Sequence, residues 1–216
     1  MDALIPFQKQ YETESREVVI RGRRFSFFVP ANLEMFIDPD DVFHDFPLWS
    51  KIWEASLVLA DFLAGMTPQP EKRFLEIGAG IGLVGIVAAA FGHRVTITEI
   101  NKPALDFIRA NSLINHCSTV EVVRMDWNSP CLESRFDYIV GSEVVYHEKD
   151  FDPLQNLFQR LLKPDGRIIL CSEVRQVTIE FYRRLQHFFK LSAQKKKIRS
   201  ADQERAVILC WSEPKI

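Results

Sequence analysis

Residues Phe74-Leu75-Glu76-Ile77-Gly78-Ala79-Gly80-Ile81-Gly82-Leu83-Val84-Gly85 set the strongest limit on what this chain can fold into. An apolar strand pattern runs into alternating glycines and then into an apolar helix pattern. Glycines reach positive φ angles and let a ligand approach the backbone, while the first turn of the following helix presents unpaired N–H groups. The junction therefore predicts a small-cofactor pocket. A bare strand-to-helix turn explains it less well, since three glycines each cost about 1 kcal/mol relative to alanine.

Departures from the dinucleotide fingerprint narrow the ligand. In G-x-G-x-x-G the second glycine admits a pyrophosphate and the third lets helix and strand pack closely. Here the spacing is Gly78-x-Gly80-x-Gly82, Leu83 takes the third position, and Glu76 stands two residues before the first glycine. A carboxylate at that place repels phosphate and suits a ligand carrying an ammonium group. The methionine part of S-adenosylmethionine (SAM) meets that requirement.

From Arg73 onward strand and helix patterns alternate: strand 74–77, helix 83–91, strand 94–98, helix 102–115, strand 120–124, strand 136–141, helix 154–162, strand 167–172 and helix 178–189. That order predicts right-handed β-α-β units and a parallel sheet. Segments 191–199 and 205–211 read as final strands joined too tightly for anything but an antiparallel pair. Ahead of this core, residues 1 to about 15 read as irregular, and 17–20 with 25–29 read as a hairpin. Residues 30–45 read as an acidic loop, and Trp49 to Leu63 as an amphipathic helix ended by Thr67-Pro68. The expected organisation is one compact domain: a SAM-binding core over 73–216 and an N-terminal extension over 1–72 packed on it.

Composition excludes several classes. A formal net charge of -2 over 216 residues argues against a phosphate-backbone binder, so no nucleic-acid partner is expected. The four cysteines, at 117, 131, 171 and 210, lack metal-ligand spacing, so no metal is expected and they read as thiols of a reducing compartment. No apolar run is long enough to span a bilayer and the N-terminus lacks a secretory pattern, which predicts a cytoplasmic protein.

Further candidates follow from strand ends. Glu99 closes the second core strand, 21 residues after Gly78, where a carboxylate accepts ribose hydroxyls. Asp126-Trp127 follows the third, where an acid can take an adenine amino group and an indole can cover the base. Together with Ser142-Glu143-Val144-Val145-Tyr146, these residues resemble the seven-strand SAM-dependent methyltransferases, and in particular the branch rich in protein-lysine methyltransferases. The resemblance runs over residues 17–212 and includes the tryptophans of Leu48-Trp49-Ser50-Lys51-Ile52-Trp53.

That resemblance implies a doubly wound, Rossmann-like α/β sheet of seven strands whose last strand is antiparallel. It assigns Glu76, Gly78, Gly80 and Gly82 to the methionine part, Glu99 to ribose, Asp126 and Trp127 to adenine, and Trp53 to the pocket wall. It gives the acceptor end to Glu143 and Tyr146, with Glu143 where the branch usually has Asp. Glu143 would orient the acceptor ammonium and Tyr146 would cap its channel. Two readings of this pair stay open: an acceptor-handling couple, or an acid on the cofactor's ammonium beside a core tyrosine. The implied activity is N-methylation of a protein lysine. A small-molecule amine methyltransferase, a nicotinamide-dependent oxidoreductase and a non-catalytic SAM-binding protein are the alternatives. Lys195–Lys197 read as charges protecting an edge strand.

Overall fold

Strand positions that are apolar at every residue need cover on both sides, and the chain provides it. The computed structural model describes residues 4–37, 46–200 and 203–213. In chain order the elements are α1 (Ile5–Gln10), β1 (Thr13–Ile20), β2 (Arg23–Pro30), α2 (Glu54–Ala64), β3 (Arg73–Glu76), α3 (Leu83–Ala90), β4 (Arg94–Glu99), α4 (Lys102–Ile114) and β5 (Glu121–Arg124). There follow β6 (Phe136–Ser142), α5 (Phe151–Leu161), β7 (Leu162–Glu173), α6 (Gln176–Leu185), β8 (Lys190–Ser200) and β9 (Gln203–Glu213).

Seven strands form one sheet in the order β5-β4-β3-β6-β7-β9-β8. Strands β3 to β7 run parallel, and β9 is antiparallel to both β7 and β8. The short β8–β9 connection therefore does what the sequence predicts. Alternate side chains serve two cores. Phe74 and Val140 pack with α2, α3 and α4, whereas Leu75 and Ile139 pack with α5 and α6. The chain steps outward from β3 through β5 and then returns to lay β6 beside β3. That reversal opens a crevice at the carboxyl ends of the strands, the place where ligands bind in such sheets. Strand β8, which carries Lys195 to Lys197, is the outer edge, consistent with the edge-protection reading.

The hairpin β1–β2 forms its own two-stranded sheet and is sewn to α4 by side-chain amides. Asn111 accepts from the Phe28 amide at 2.7 Å and donates to the Phe28 carbonyl at 3.2 Å. One helical turn later, Asn115 accepts from Ser26 N at 3.0 Å and donates to Ser26 O at 2.7 Å. Residues at i and i+4 share a helix face, and alternate residues share a strand edge, so the two amides replace a third strand. Asn111 also donates to the Ile81 carbonyl at 3.1 Å, which ties the hairpin to the glycine turn.

Four expectations need correction. Residues 1–15 are not irregular throughout, because Ile5–Gln10 is helical and β1 starts at Thr13. Phe7 makes this turn of helix worthwhile by packing edge-on to Phe107 at 4.9 Å and against Tyr11 at 5.3 Å. The helix predicted from Trp49 begins only at Glu54. Leu48–Ser50 is a 3-10 turn and Trp53 is extended, its indole N–H donating to Leu48 O at 3.0 Å. Lys163 to Gly166, expected to close a helix, lie within β7, where pairing with β6 shifts register between Phe136 and Tyr138. Helix α6 also ends at Leu185 rather than Phe189. The acidic stretch containing Asp40 and Asp41 lies outside the described residues.

Candidate functional site

The crevice between β3 and β6 is a cleft whose wall includes Trp49, Trp53, Gly78, Gly80, Glu99, Trp127, Glu143 and Tyr146. Each strand end delivers one part. The turn after β3 is held by Ala79 N donating to Thr98 O at 3.1 Å, and its glycines 78, 80 and 82 all have positive φ. At Gly78 a Cβ would stand 3.0 Å from the Trp127 indole, and at Gly80 it would stand 2.8 Å from the Trp49 carbonyl oxygen. The close approach of both tryptophan segments therefore requires glycine at both positions.

At the end of β4, Glu99 is buried and accepts three backbone amides: Gly80 at 2.9 Å, Ile100 at 2.7 Å and Asn101 at 3.0 Å. Burial raises its pKa, and those amides oppose the shift. A carboxylate offers about four lone-pair sites, so one acceptor position remains for a ligand hydroxyl. Trp127, after β5, sets its indole against the turn at Gly78 and lines the cleft. Trp53 and Lys51 also line the cleft, with the Lys51 ammonium 4.4 Å from the Trp53 ring centroid.

Not every predicted residue reaches this wall. Glu76 is 1% exposed and points into the protein, where Oε2 accepts the Gly85 amide at 2.8 Å. A Cβ on Gly85 would fall 2.3 Å from that oxygen, so Gly85 makes room for the acid. Glu76 thus caps the first turn of α3 from below instead of facing the cleft. Burial pushes its pKa up to about 8, helped by the nearby Glu99 charge and opposed by the Gly85 bond. Gly82 is likewise absent from the wall and packs on Ile108. Asp126 accepts the Asn128 backbone amide at 2.8 Å and its side-chain amide at 2.9 Å, bonds that lower its pKa, and it too stands off the wall.

The end of the cleft differs from expectation in one further respect. Glu143 has φ 50° and a buried carboxylate engaged on both oxygens, by Glu173 N at 2.5 Å and by the Arg175 guanidinium. It lines the cleft with both oxygens already engaged by donors of the protein. Burial raises its pKa, against the pull of Arg175. Tyr146 is fixed by its amide, which donates to Asp150 Oδ2 at 3.2 Å, and burial raises its pKa. Ser56 and Ser142, joined at 3.1 Å, also line the wall; Ser142 belongs to the strand-end segment but has no role assigned there from sequence, and Ser56, a single serine in a helix, carries no sequence signal that marks it. Among the described residues no cluster of His, Cys, Asp or Glu is arranged to hold a metal.

Comparison with known proteins places this geometry. Solved structures of the same fold include Pyrococcus horikoshii TYW2 in complex with MeSAdo, with a TM-score of 0.62 and 17% identity over 92% of this chain and 70% of that one. A SAM-dependent methyltransferase from Agrobacterium tumefaciens matches with a TM-score of 0.58 and 17% identity, over 96% of this chain and 72% of that one. Among sequence relatives, protein N-lysine methyltransferase METTL21A of Danio rerio is 36% identical over 57% of this chain and 60% of its own length. EEF1A lysine methyltransferase 3 of Mus musculus is 33% identical over 68% of this chain and 66% of its own length. The chain thus matches somewhat less than two thirds of each relative's own length. Residues 48–195 match the profile described as lysine methyltransferase, and this span holds every wall residue of the cleft. The chain belongs to the lysine methyltransferase family.

Proposed function

We propose that this chain methylates a lysine side chain of a protein, with SAM as methyl donor. One observation carries the reading: Gly78, Glu99 and Trp127 converge on a single cleft at the sheet's reversal point, and Tyr146 stands in the same wall. The residues present fit the donor. The glycine at 78 leaves room beside an indole that can cover a purine, and Glu99 keeps acceptor capacity for a sugar hydroxyl. The sulfonium, when bound, supplies an electrophilic methyl group.

What the chain itself contributes is placement and dryness. An acceptor lysine near pH 7 loses its proton at a cost of about 4.6 kcal/mol, given a reference pKa of about 10.4. The apolar part of the wall, Trp49, Trp53 and Trp127, disfavours the charged amine by desolvating it once donor and acceptor fill the cleft, which lowers that cost. Orientation of the amine against the donor does the remainder, and no covalent nucleophile is needed. In this reading residues 1–72 act as an extension that shuts one side of the cleft with Trp49 and Trp53, while 73–216 form the core. All four cysteines are free thiols, in keeping with a cytoplasmic protein. Among the described residues no helix is long and apolar enough to cross a membrane.

Calorimetric titration tests the reading. S-adenosylhomocysteine should bind the wild-type protein, bind Glu99→Ala at least tenfold more weakly (about 1.4 kcal/mol), and leave NADH and NADPH with no measurable heat. A labelled-methyl screen of lysate proteins against small amines then decides the acceptor. Labelling of small amines alone would overturn the protein-lysine assignment, and absence of S-adenosylhomocysteine binding would overturn the methyltransferase.

A further inference from the structure

Arg175 stands 32 residues beyond Glu143 in sequence, at the start of α6, yet its guanidinium reaches three residues of the Glu143-Val144-Val145-Tyr146 segment. It pairs with the Glu143 carboxylate, approaches the Val145 carbonyl at 3.5 Å, and lies over the Tyr146 ring with Cζ 5.1 Å from the centroid. A planar guanidinium can do all three at once, because its edge donates while its face stacks; an ammonium cannot. Its Nε is buried without a hydrogen-bond partner, so the guanidinium's hydrogen bonds are made through a terminal nitrogen.

The Glu143 side chain is almost fully buried, and its backbone sits in the left-handed region, which costs a non-glycine residue about 1–2 kcal/mol. Such a conformation persists only where its surroundings over-determine it. Here the fixing partners are Arg175, the Glu173 amide and the Cys171 carbonyl, which accepts from Glu143 N at 2.9 Å. Turned this way, the acid is paired with Arg175, and Tyr146 lines the cleft's end together with Glu143 and Val144.

We infer that Arg175 is a positioning residue for the acceptor end of the cleft. It uses Glu143 as its anchor and the face of Tyr146 as the surface it aims, so that Glu143 and Arg175 act as one unit. The inference rests on the methyltransferase reading for what Tyr146 is aimed at, but not for the aiming itself. It also explains why Glu serves at position 143: the longer acid reaches past the strand end to Arg175, the residue that precedes α6.

The test labels the four tyrosines of the chain with 3-fluorotyrosine and assigns the Tyr146 fluorine resonance by its loss in Tyr146→Phe. Arg175→Met should move or broaden the Tyr146 resonance and leave those of Tyr11 and Tyr138 in place, with S-adenosylhomocysteine binding retained. Arg175→Lys, which keeps the charge without the planar face, should restore the melting temperature but not the resonance. In the labelled-methyl assay Arg175→Met should reduce incorporation by up to about a hundredfold, the scale of a misplaced reacting group. Glu143→Gln should do the same, and the double variant should be no worse than the poorer single one. An unmoved Tyr146 resonance in Arg175→Met, or losses that multiply in the double variant, would overturn the inference. If the wild-type protein transfers no methyl group, the functional reading fails while the fluorine resonance still decides the placement.

Discussion

Glu76 and Gly85 are nine residues apart in sequence and meet at 2.8 Å, the carboxylate of a strand accepting the amide of the helix that follows it. Nothing else about Glu76 resembles a surface acid. It is buried, with its pKa raised from 4.5 to about 8. Between these two values the folded chain keeps a proton that the unfolded chain has released, so stability falls as pH rises through that window. The contribution is fully present below about pH 4.5 and lost above about pH 8, and it is on the order of 5 kcal/mol. Glutamine preserves the acceptor for Gly85 and cannot ionise. Glu76→Gln should therefore flatten the pH dependence of urea unfolding and exceed the wild-type protein in stability at the alkaline end. Glu99 and Glu143 shift in the same direction, so some slope should persist.

Gly80 and Gly22 separate crowding from backbone strain. Both have positive φ, 57° and 78°, but a Cβ at Gly80 meets the Trp49 carbonyl at 2.8 Å while one at Gly22 meets nothing within 4 Å. Gly22→Ala should cost about 1–2 kcal/mol of unfolding free energy and leave S-adenosylhomocysteine affinity untouched. Gly80→Ala should cost more, and it should weaken that affinity because the Trp49 segment has to move. Equal effects of the two substitutions on affinity would contradict the packing described.

Trp127 should carry a measurable share of cofactor affinity. Stacking of a base on an aromatic side chain is worth about 1–3 kcal/mol by alanine substitution. Trp127→Ala is expected to weaken S-adenosylhomocysteine binding by roughly tenfold to a hundredfold. Trp127→Phe should recover most of the loss, as read by calorimetry.

Asn111 joins three elements with one amide: Phe28 N and O in β2, and Ile81 O in the glycine turn. It is fully buried, so Asn111→Leu leaves polar backbone without water to replace the bonds and should cost about 3 kcal/mol. Asn115→Leu, half exposed, should cost about 1 kcal/mol. Hydrogen exchange should report faster exchange at the Phe28 amide in the first variant and at the Ser26 amide in the second.

How much of this could be read in the chain depends on the range of the interaction. Local pattern suffices for the strand-turn-helix at 74–85 and for the tight final pair, because alternation and turn length act within about ten residues. It fails at Trp49 and Trp53, whose helical spacing is overridden when the Trp53 indole bonds Leu48 O and the backbone straightens. It also fails at Ile5–Gln10, a helix too short to stand alone and supported by Phe107 from α4. For the site, residue type locates the cleft but not the direction of its acids. Glu76 points at Gly85 and Glu143 at Arg175, and both choices are made by partners distant in sequence or hidden in a neighbouring element.

The amide seam between α4 and β2 also gives the protein a way to age. A strand closed by backbone groups cannot change its donors, whereas a side-chain amide can lose ammonia and become a carboxylate, and asparagine is among the thermolabile residues. At Asn115 that reaction would replace the group donating to the carbonyls of Ser26 and Asn111 with an oxygen that can only repel them. Asn115 is half open to solvent while Asn111 is sealed. Chemical wear should therefore begin at the wet end of the seam and leave the residue that touches the glycine turn intact the longest.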